Sequence, residues 1–465
     1  MVKMTIDFTR TPFHMPGHKR NAALFSDSPP LPYEIDVTEI DGADDLHDMH
    51  GHLAAVAELA ARLYGAERAF PMVNGSTGGI LAAVRAAATL ATADVQSERR
   101  KIIMTRESHR SVYNAAELCD LEPIYLESTA PQAVADALAA HPDAACVLIT
   151  SPTYLGKVAD IAAIATAIRN TEGETSNVDE SRPTTRSLVG HESTIVGTPR
   201  VPLIIDGAHG AHFGFHDAFP PNATRLGADI EIVSLHKTLP ALTQASLLLC
   251  RNDFASEIER QLRVFETSSP SYVLLASIER CLRLLDARGD ELFAQYTERL
   301  QRFYARTALK PADDIGKIVI PATSGAELMD ALRAYGIELE MCGADYALAM
   351  TSIADTDAAF TQLADALDAC KHLRGNDVRP NTYRAPQRVC TPSAARRRGS
   401  ELLPYAAAQG RVAREYVWAY PPGVPLVVPG EVVDAHVIAA IDALCASGIA
   451  PRSDCGALPK ISVVG

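Results

Sequence analysis

The stretch SLHKTLPALTQASLLLC, residues 234–250, places a single lysine, Lys237, between two short apolar runs. The runs at 230–233 and 245–250 are both typical of buried strands. A lysine at the end of a strand is usually a solvated surface residue. A lysine beside an apolar site instead favours a neutral, nucleophilic amine that forms a Schiff base with an aldehyde. The surrounding sequence has to distinguish these two interpretations.

Helical and strand patterns alternate over residues 50–250. Helical spacing covers 53–65 and 78–93, and short apolar runs follow at 101–105, 123–126, 146–150 and 202–206. This alternation predicts an α/β fold with a mostly parallel sheet and helices on both faces. In such sheets, ligands bind at the carboxyl ends of the strands.

The chain of 465 residues is long enough for two or more domains. We predict an N-terminal segment over 1–50, a large domain over 51–310 and a smaller α+β C-terminal domain over 311–465. Residues 171–200 are rich in Ser and Thr and have no sustained period. We predict that they form a polar surface insertion in the large domain.

The net charge is −14, from 43 basic and 57 acidic residues. This balance argues against a nucleic-acid partner and suits a small cationic substrate. No run approaches the ~20 apolar residues of a membrane span, and the first residues lack the apolar core of a signal peptide. The nine cysteines are scattered without CxxC spacing, which indicates a reducing setting. We therefore expect a cytoplasmic protein without a membrane partner.

Two polar motifs lie at predicted strand ends. The turn VNGSTGG, residues 73–79, precedes a helix and would offer backbone N–H groups and hydroxyls to a phosphate, although it is also a plausible helix cap. Asp206 ends the strand in IIDGAHGAHFGF and would need a cationic partner if buried. A protonated pyridine nitrogen is such a partner, while a turn cap is the alternative role for this aspartate.

Histidines provide a competing signal. Clustered imidazoles bind metals, but these clusters lack an HExxH-type helix that carries a base, and we predict no metal site. His109 follows the 101–105 strand, where an imidazole would stack on a planar ring or move protons. The clustered histidines are His14, His18, His47, His50, His52, His209, His212 and His216.

The order of a phosphate turn, a histidine, a strand-end aspartate and a lysine points to a pyridoxal-phosphate enzyme with an aspartate-aminotransferase-like fold. The chain resembles the Orn/Lys/Arg decarboxylase family in its short bacterial form. The motifs that carry the resemblance run in order along most of the chain: PFHMPGHKR, DVTEIDGADDLHD, VNGSTGG, SHRSV, TSPTYLG, DGAHGAHF, SLHKTLPALTQAS, TSSPSYVLLASIE and YPPGVPLVVPGE.

The resemblance implies specific roles. Lys237 would be the Schiff-base lysine, Asp206 the partner of the pyridinium nitrogen and His109 the residue stacked on the ring, with His209 near the Schiff base. It also implies a homodimer, or a higher homo-oligomer, in which Thr267 or Ser268 reaches the phosphate of the neighbouring subunit. Residues implied to surround the phosphate within one chain are Ser76, Thr77, Gly78, Ser234 and His236.

The chain departs from the family at three places. Gly207 stands where the family usually has an acidic residue, Gly79 stands where it usually has Asn, and the 171–200 insertion is atypical. Glu431, in the PGE turn, is predicted to bind the cationic end of a substrate or, alternatively, to cap a surface helix.

The predicted reaction is pyridoxal-phosphate-dependent decarboxylation of arginine, lysine or ornithine, with Lys237, His109 and His209 as the catalytic residues. A proton from Lys237 or His209 would replace the lost carboxylate. The same cofactor breaks other bonds when the substrate is turned. A related aminotransferase, a carbon–sulfur lyase and a weakly active cofactor-binding paralogue therefore remain alternatives.

Overall fold

A seven-stranded sheet forms the centre of the computed structural model. The model describes residues 15–16, 19–20, 31–91, 100–171, 200–378, 385–419, 423–446, 450–456 and 458–465. The sheet has the order β1-β7-β6-β5-β4-β2-β3, and β7 alone runs opposite to the other six strands. This arrangement confirms the predicted α/β class. The strands are β1 (Arg68–Met72), β2 (Lys101–Thr105), β3 (Glu122–Leu126), β4 (Ala144–Thr150), β5 (Leu203–Asp206), β6 (Ile230–Ser234) and β7 (Ser246–Cys250).

Helices cover both faces of this sheet because successive strand residues point to opposite sides. Ile102 and Met104 of β2 pack on one face, while Ile103 between them packs on the other. The helices of this part are α1 (His52–Tyr64), α2 (Gly75–Ala91), α3 (Arg110–Leu118), α4 (Pro131–Ala140), α5 (Ile161–Thr171), α6 (Leu235–Thr238), α7 (Asn252–Phe265) and α8 (Tyr272–Thr307).

A second, smaller sheet follows the long helix α8. Its antiparallel strands have the order β8-β10-β9, and its apolar residues share one core cluster with those of α1 and α8. This sheet therefore packs directly on the first part of the chain. Its elements are β8 (Lys317–Pro321), α9 (Gly325–Ala334), β9 (Met341–Cys342), β10 (Tyr346–Met350) and α10 (Asp357–Ala369).

The last part of the chain has its own apolar cluster, which includes Val417, Val433 and Ile461. Residues 311–465 thus contain two packing units, the smaller sheet with its helices and this last unit. The prediction that 311–465 form one domain stays a prediction. The elements of the last unit are α11 (Pro392–Arg396), β11 (Ser400–Pro404), β12 (Val417–Trp418), β13 (Pro425–Val427), α12 (Ala435–Ala446), β14 (Arg452–Ser453) and β15 (Lys460–Val464).

Two sequence predictions concern residues outside those described. The predicted insertion at 171–200 falls there except for its first and last residues, and so do His14 and His18. Within the described ranges, none of the helices combines the length and apolar character needed to cross a membrane.

Gly325, the first residue of α9, supports the packing of this helix on the small sheet. A Cβ added there would meet the carbonyl oxygens of Gly343 and Tyr346. We expect Gly325→Ala to lower the free energy of unfolding by about 2–3 kcal/mol, because backbone atoms cannot move aside easily. Gly289→Ala in α8, with no atom within 4 Å of the added Cβ, should be neutral or stabilising by up to about 1 kcal/mol. Chemical denaturation measures both changes, and equal midpoints would contradict the packing of α9.

Candidate active site

The carboxyl ends of the parallel strands define one edge of the large sheet. In the strand register, Asp206 lies between Thr150 of β4 and Ile232 of β6. The segments that follow β2, β5 and β6 carry His109, His209 and Lys237, respectively. Parallel pairing therefore brings residues distant in sequence to a common edge, where ligands of such sheets bind.

Lys237 lies in the short helix α6 and contacts a histidine on one side. Its Nζ atom is 3.1 Å from Nε2 of His209. The Nδ1 atom of the same imidazole is 2.8 Å from Nζ of Lys317, at the start of β8. His209 thus lies between two lysine amines. Lys237 follows β6 of the large sheet, and Lys317 begins β8 of the smaller sheet.

Lys317 was missed by sequence reasoning, although it shares a signal with Lys237. Both lysines adjoin an apolar strand segment, and Lys317 opens the run KIVIP. The side chain is only 1% exposed. Burial lowers the pKa of Lys317 to about 8, with Lys237 acting in the same direction and Asp314 opposing it.

Aromatic and polar groups surround His209. The ring of Tyr154 lies 4.7 Å from its imidazole centroid. Nearby, Nε2 of the buried His212 is 3.0 Å from Oδ1 of Asp314, which is fully buried. Burial, followed by the charges of Lys317 and Lys237, holds the pKa of His209 well below its ordinary value. The imidazole of His209 is therefore neutral at physiological pH.

Asp206 is the buried carboxylate of this edge, with 2% exposure. Burial raises the pKa of Asp206, while the nearby positive charge of Lys237 acts in the opposite direction. One carboxylate oxygen accepts a hydrogen bond from the Ala208 amide at 3.3 Å. The environment favours a cationic partner for this carboxylate.

His109 caps the start of α3. Its Nδ1 atom accepts a hydrogen bond from the Ser111 amide at 3.2 Å, so its Nε2 atom carries the proton in the neutral ring. Burial, then the charges of Lys237 and Arg110, lowers the pKa of His109 to about 4. At physiological pH this side chain is a neutral ring near Lys237.

The predicted phosphate turn faces the Lys237 segment. Helix α2 begins at Gly75, with Ser76 and Thr77 in its first turn and a buried Gly78 after them. A Cβ added to Gly75 would lie 4.0 Å from the carbonyl oxygen of Gln244. The start of α2 and the loop after Lys237 are therefore neighbours.

Two residues of the Lys237 segment lie beside this turn. The hydroxyl of Ser234 is fully buried and has no hydrogen-bond partner among the described residues. Ser234 lies opposite Ser246, which in turn lies opposite Met72 at the end of β1. The ring of His236 donates from Nδ1 to the Ala245 carbonyl at 3.0 Å. Ser234 and His236, both predicted to bind phosphate, thus lie on the side of the Lys237 segment that borders β7 and the end of β1.

Glu266 supports the phosphate turn and was also missed by sequence reasoning. Its carboxylate accepts hydrogen bonds from the Val73 and Asn74 amides, each at 3.2 Å. Burial raises its pKa to about 7. Thr267 and Ser268 come directly after it, and the Thr267 carbonyl lies 2.9 Å from Nε2 of His47. Their predicted reach into a neighbouring subunit stays a prediction.

Gly207 stands where the family usually has an acidic residue, and the carboxylate of another residue lies close to it. A Cβ added to Gly207 would lie 3.1 Å from Oε1 of Glu231, an almost fully buried residue of β6. The Thr224 amide donates to Glu231 at 2.9 Å. An acidic group from the adjacent strand therefore occupies the space beside Gly207.

Glu431 is fully buried, so the alternative role as a cap on a surface helix is wrong. Its Oε2 atom is 3.2 Å from Nη2 of Arg106 and accepts the Val428 amide at 3.0 Å. These contacts join the last unit of the chain to the segment after β2. The role of Glu431 in substrate binding stays a prediction.

The clustered histidines of the sequence were the competing signal for a metal site. Within the described parts of the chain, no group of three or more His, Cys, Asp or Glu side chains is placed to hold a metal ion. The Nε2 atom of His50 pairs at 3.2 Å with Asp48, and both side chains are exposed.

This chain belongs to the Orn/Lys/Arg decarboxylase family. The model of the family's major domain matches residues 3–182 and 191–355, and the model of its C-terminal domain matches residues 378–448. The match covers most of the chain and, together with the relatives below, identifies it as a decarboxylase.

Similar proteins include decarboxylases of basic amino acids. An arginine decarboxylase of Halalkalibacterium halodurans is 29% identical over 477 residues, which cover 92% of this chain and 89% of that protein. The solved constitutive lysine decarboxylase of Escherichia coli has a TM-score of 0.75 at 18% identity, with 98% of this chain and 80% of that chain covered. A solved structure of SPT with PLP has a TM-score of 0.50 at 13% identity, with 69% of this chain and 76% of that chain covered. The two solved structures share the fold of this chain.

Glu231 predicts a pH dependence of stability. Burial raises its pKa from 4.5 to about 7, so the folded protein binds this proton more tightly than the unfolded chain does. The associated stability is complete below about pH 4.5 and is lost as the pH rises through about 7. Relative to Glu231→Gln, the wild-type protein should lose about 3–4 kcal/mol across this window.

Denaturation at a series of pH values measures this change. The exposed Glu298 of α8 provides a matched Glu298→Gln control, for which we expect no such trend. A difference between wild type and Glu231→Gln that is constant with pH would contradict the burial of an ionisable carboxyl there.

Proposed function

We propose that this decarboxylase uses pyridoxal phosphate to remove the carboxylate of arginine, lysine or ornithine. The observation that carries the proposal is the contact between Lys237 and the neutral His209, beside the buried Asp206 at the carboxyl edge of the sheet. The arginine and lysine decarboxylases among the similar proteins support a basic substrate, with arginine as our first choice.

The residues of the edge fit this cofactor. The buried Ser234 hydroxyl, unpaired among the described residues, and the start of α2 offer donors for a phosphate. Ser76, Thr77, Gly78 and His236 complete the proposed phosphate site. Asp206 would hold the ring nitrogen, and the amine of Lys237 would hold the aldehyde carbon.

When bound, pyridoxal phosphate supplies a protonated ring that accepts the electron pair left behind as carbon dioxide departs. Asp206 would hold the proton on the ring nitrogen, because a buried carboxylate is stabilised by an adjacent cation. His109, neutral and next to Lys237, is proposed to pack against the ring. Nζ of Lys237 or Nε2 of His209 then delivers the proton that replaces the carboxylate.

The cationic end of the substrate needs an acidic partner. Glu431 was the sequence candidate, and Glu340, directly before β9, is a second one. Glu340 is exposed, and its negative charge raises the pKa of Lys237 against the larger effect of burial. An exposed carboxylate near the reactive amine suits a side chain that carries an ammonium or guanidinium group.

We further propose that the protein works in the cytoplasm as a homodimer or higher homo-oligomer. Thr267 or Ser268 would then contribute to the phosphate site of the neighbouring subunit. These proposals rest on the family resemblance and on the position of both residues directly after Glu266, which supports the phosphate turn.

Release of carbon dioxide tests the proposed reaction. We expect the protein, supplied with pyridoxal phosphate, to release it from one of the three amino acids and to form the matching amine. Lys237→Ala should lower the rate at least about a hundredfold, since the variant lacks the amine that binds cofactor and moves the proton. Lys310→Ala, at a lysine that is 87% exposed, is the matched control and should retain the rate. Formation of a keto acid instead of an amine would favour an aminotransferase, and cofactor binding without product would favour the weakly active paralogue.

A further inference from the structure

Arg106 comes directly after β2 and joins the carboxyl edge of the large sheet to the last unit of the chain. Its Nη1 atom donates to the Pro425 carbonyl at 2.8 Å, and its Nη2 atom donates to the Leu426 carbonyl at 3.3 Å. Nη2 is also 3.2 Å from Oε2 of Glu431. The side chain of Arg106 is 6% exposed, and that of Glu431 is fully buried. A guanidinium from the large sheet is thus buried against the last unit.

Burial makes the two charges of this pair depend on each other. A buried guanidinium without an anion is strongly destabilised, and so is a buried carboxylate without a cation. Burial raises the pKa of Glu431, and the positive charge of Arg106 acts in the opposite direction. The same carboxylate oxygen accepts the Val428 amide at 3.0 Å, which fixes it within the last unit. Glu431 therefore determines where the charge of Arg106 is stabilised.

The Arg106 guanidinium is also bonded to helix α3. The Tyr113 hydroxyl accepts a hydrogen bond from Nη1 of Arg106 at 2.8 Å and donates one to the backbone carbonyl of Arg106. The guanidinium carbon lies 5.3 Å from the centre of the Tyr113 ring. Tyr113 is one helical turn beyond His109, the residue that caps the start of α3. The contacts of Arg106 therefore fix the part of α3 that carries His109.

The other described ion pairs between the last unit and the rest of the chain are more exposed. For example, the side chain of Arg397 is 70% exposed and that of its partner Asp120 is 50% exposed. Exposed ion pairs contribute little to stability, because water screens both charges. We therefore assign the positioning of this part of α3 to the buried Arg106–Glu431 pair. The more exposed pairs are Arg110–Asp454, Arg388–Glu122, Arg396–Glu117 and Arg397–Asp120.

We infer that Glu431 is a positioning residue that acts through Arg106 to hold His109 at the carboxyl edge of the large sheet. Glu431 would act without touching the substrate, since its side chain is closed to solvent. This role replaces the direct binding of the cationic end of the substrate that the sequence suggested. The inference rests on the proposed function only in treating His109 as the ring that packs against the cofactor.

The protonation of His109 in the cofactor-free protein tests the inference. Burial is the main cause that lowers its pKa to about 4, and the charges of Lys237 and Arg110 act in the same direction. Release of the segment after β2 would let water reach the imidazole and would raise this pKa towards its ordinary value. The ¹⁵N spectrum of the histidine rings across a pH series measures the midpoint. Loss of a signal in His109→Gln assigns it.

Two variants interrupt the proposed connection at different points. Glu431→Gln removes the negative charge at almost constant volume. Tyr113→Phe keeps the aromatic ring and the buried ion pair, but it removes the hydroxyl that joins Arg106 to α3. The matched control is Glu401→Gln, which makes the same chemical change in an exposed ion pair with Arg411 of the last unit.

We expect both variants to raise the midpoint of His109 from about 4 by about one unit or more, and Glu401→Gln to leave it unchanged. In Glu431→Gln, the dissociation constant of pyridoxal phosphate should also rise about tenfold, because the ring that packs against the cofactor is displaced. An unchanged midpoint in either folded variant would overturn the inference. If Glu431→Gln does not fold, the more conservative Tyr113→Phe decides the question.

Kinetics separate this positioning role from direct contact with the substrate. If Glu431 binds the cationic end of the substrate, Glu431→Gln should raise KM while the His109 midpoint and the affinity for pyridoxal phosphate stay as in the wild-type protein. That result would contradict the inference and support direct binding. The ¹⁵N measurement uses neither cofactor nor substrate, so it remains decisive if no carbon dioxide is released from any amino acid.

Discussion

Parallel pairing of β4, β5 and β6 is the constraint on which the candidate site depends. The register places Asp206 beside Thr150 and Ile232, so the segments after these strands emerge at one edge. Strand β7 returns antiparallel, which sets Ser246 beside both Ser234 and the end of β1. The start of α2 then lies next to the loop after Lys237. The directions of the strands thus bring the proposed phosphate donors close to the amine of Lys237. These groups belong to segments that are far apart in the sequence.

Burial determines the chemistry of this edge. It lowers the pKa of His109, His209 and Lys317 and raises that of Asp206. The two imidazoles are neutral, and Asp206 is a carboxylate whose ionisation needs a cationic partner. Groups whose pKa values are shifted in opposite directions therefore lie within one site. An enzyme that accepts and donates protons uses such groups.

Much of the fold could be predicted from local patterns. The run at 101–105 coincides with β2, and the run at 146–150 lies within β4, because buried parallel strands are continuous apolar segments. Strand β1 was not predicted, since its sequence RAFPM carries an arginine and a proline instead of a sustained apolar run. The chain order of Ser76, His109, Asp206 and Lys237 was sufficient to suggest the site.

Contacts over long sequence distances could not be predicted. Lys317 is 108 residues from His209, and Glu431 is 325 residues from Arg106. No local period indicates such pairs, so Lys317 went unnoticed and the burial of Glu431 was not foreseen. Glu266 likewise reaches amides 192 and 193 residues away, which only the tertiary fold brings close.

We propose that Lys237, and not its buried neighbour Lys317, is the lysine that binds the cofactor. Borohydride reduction of the protein loaded with pyridoxal phosphate would fix the cofactor to the lysine that holds it, and peptide mass spectrometry would locate that residue. We expect the added mass on the peptide that contains Lys237. Its appearance on Lys317, or on no lysine of the chain, would contradict this assignment.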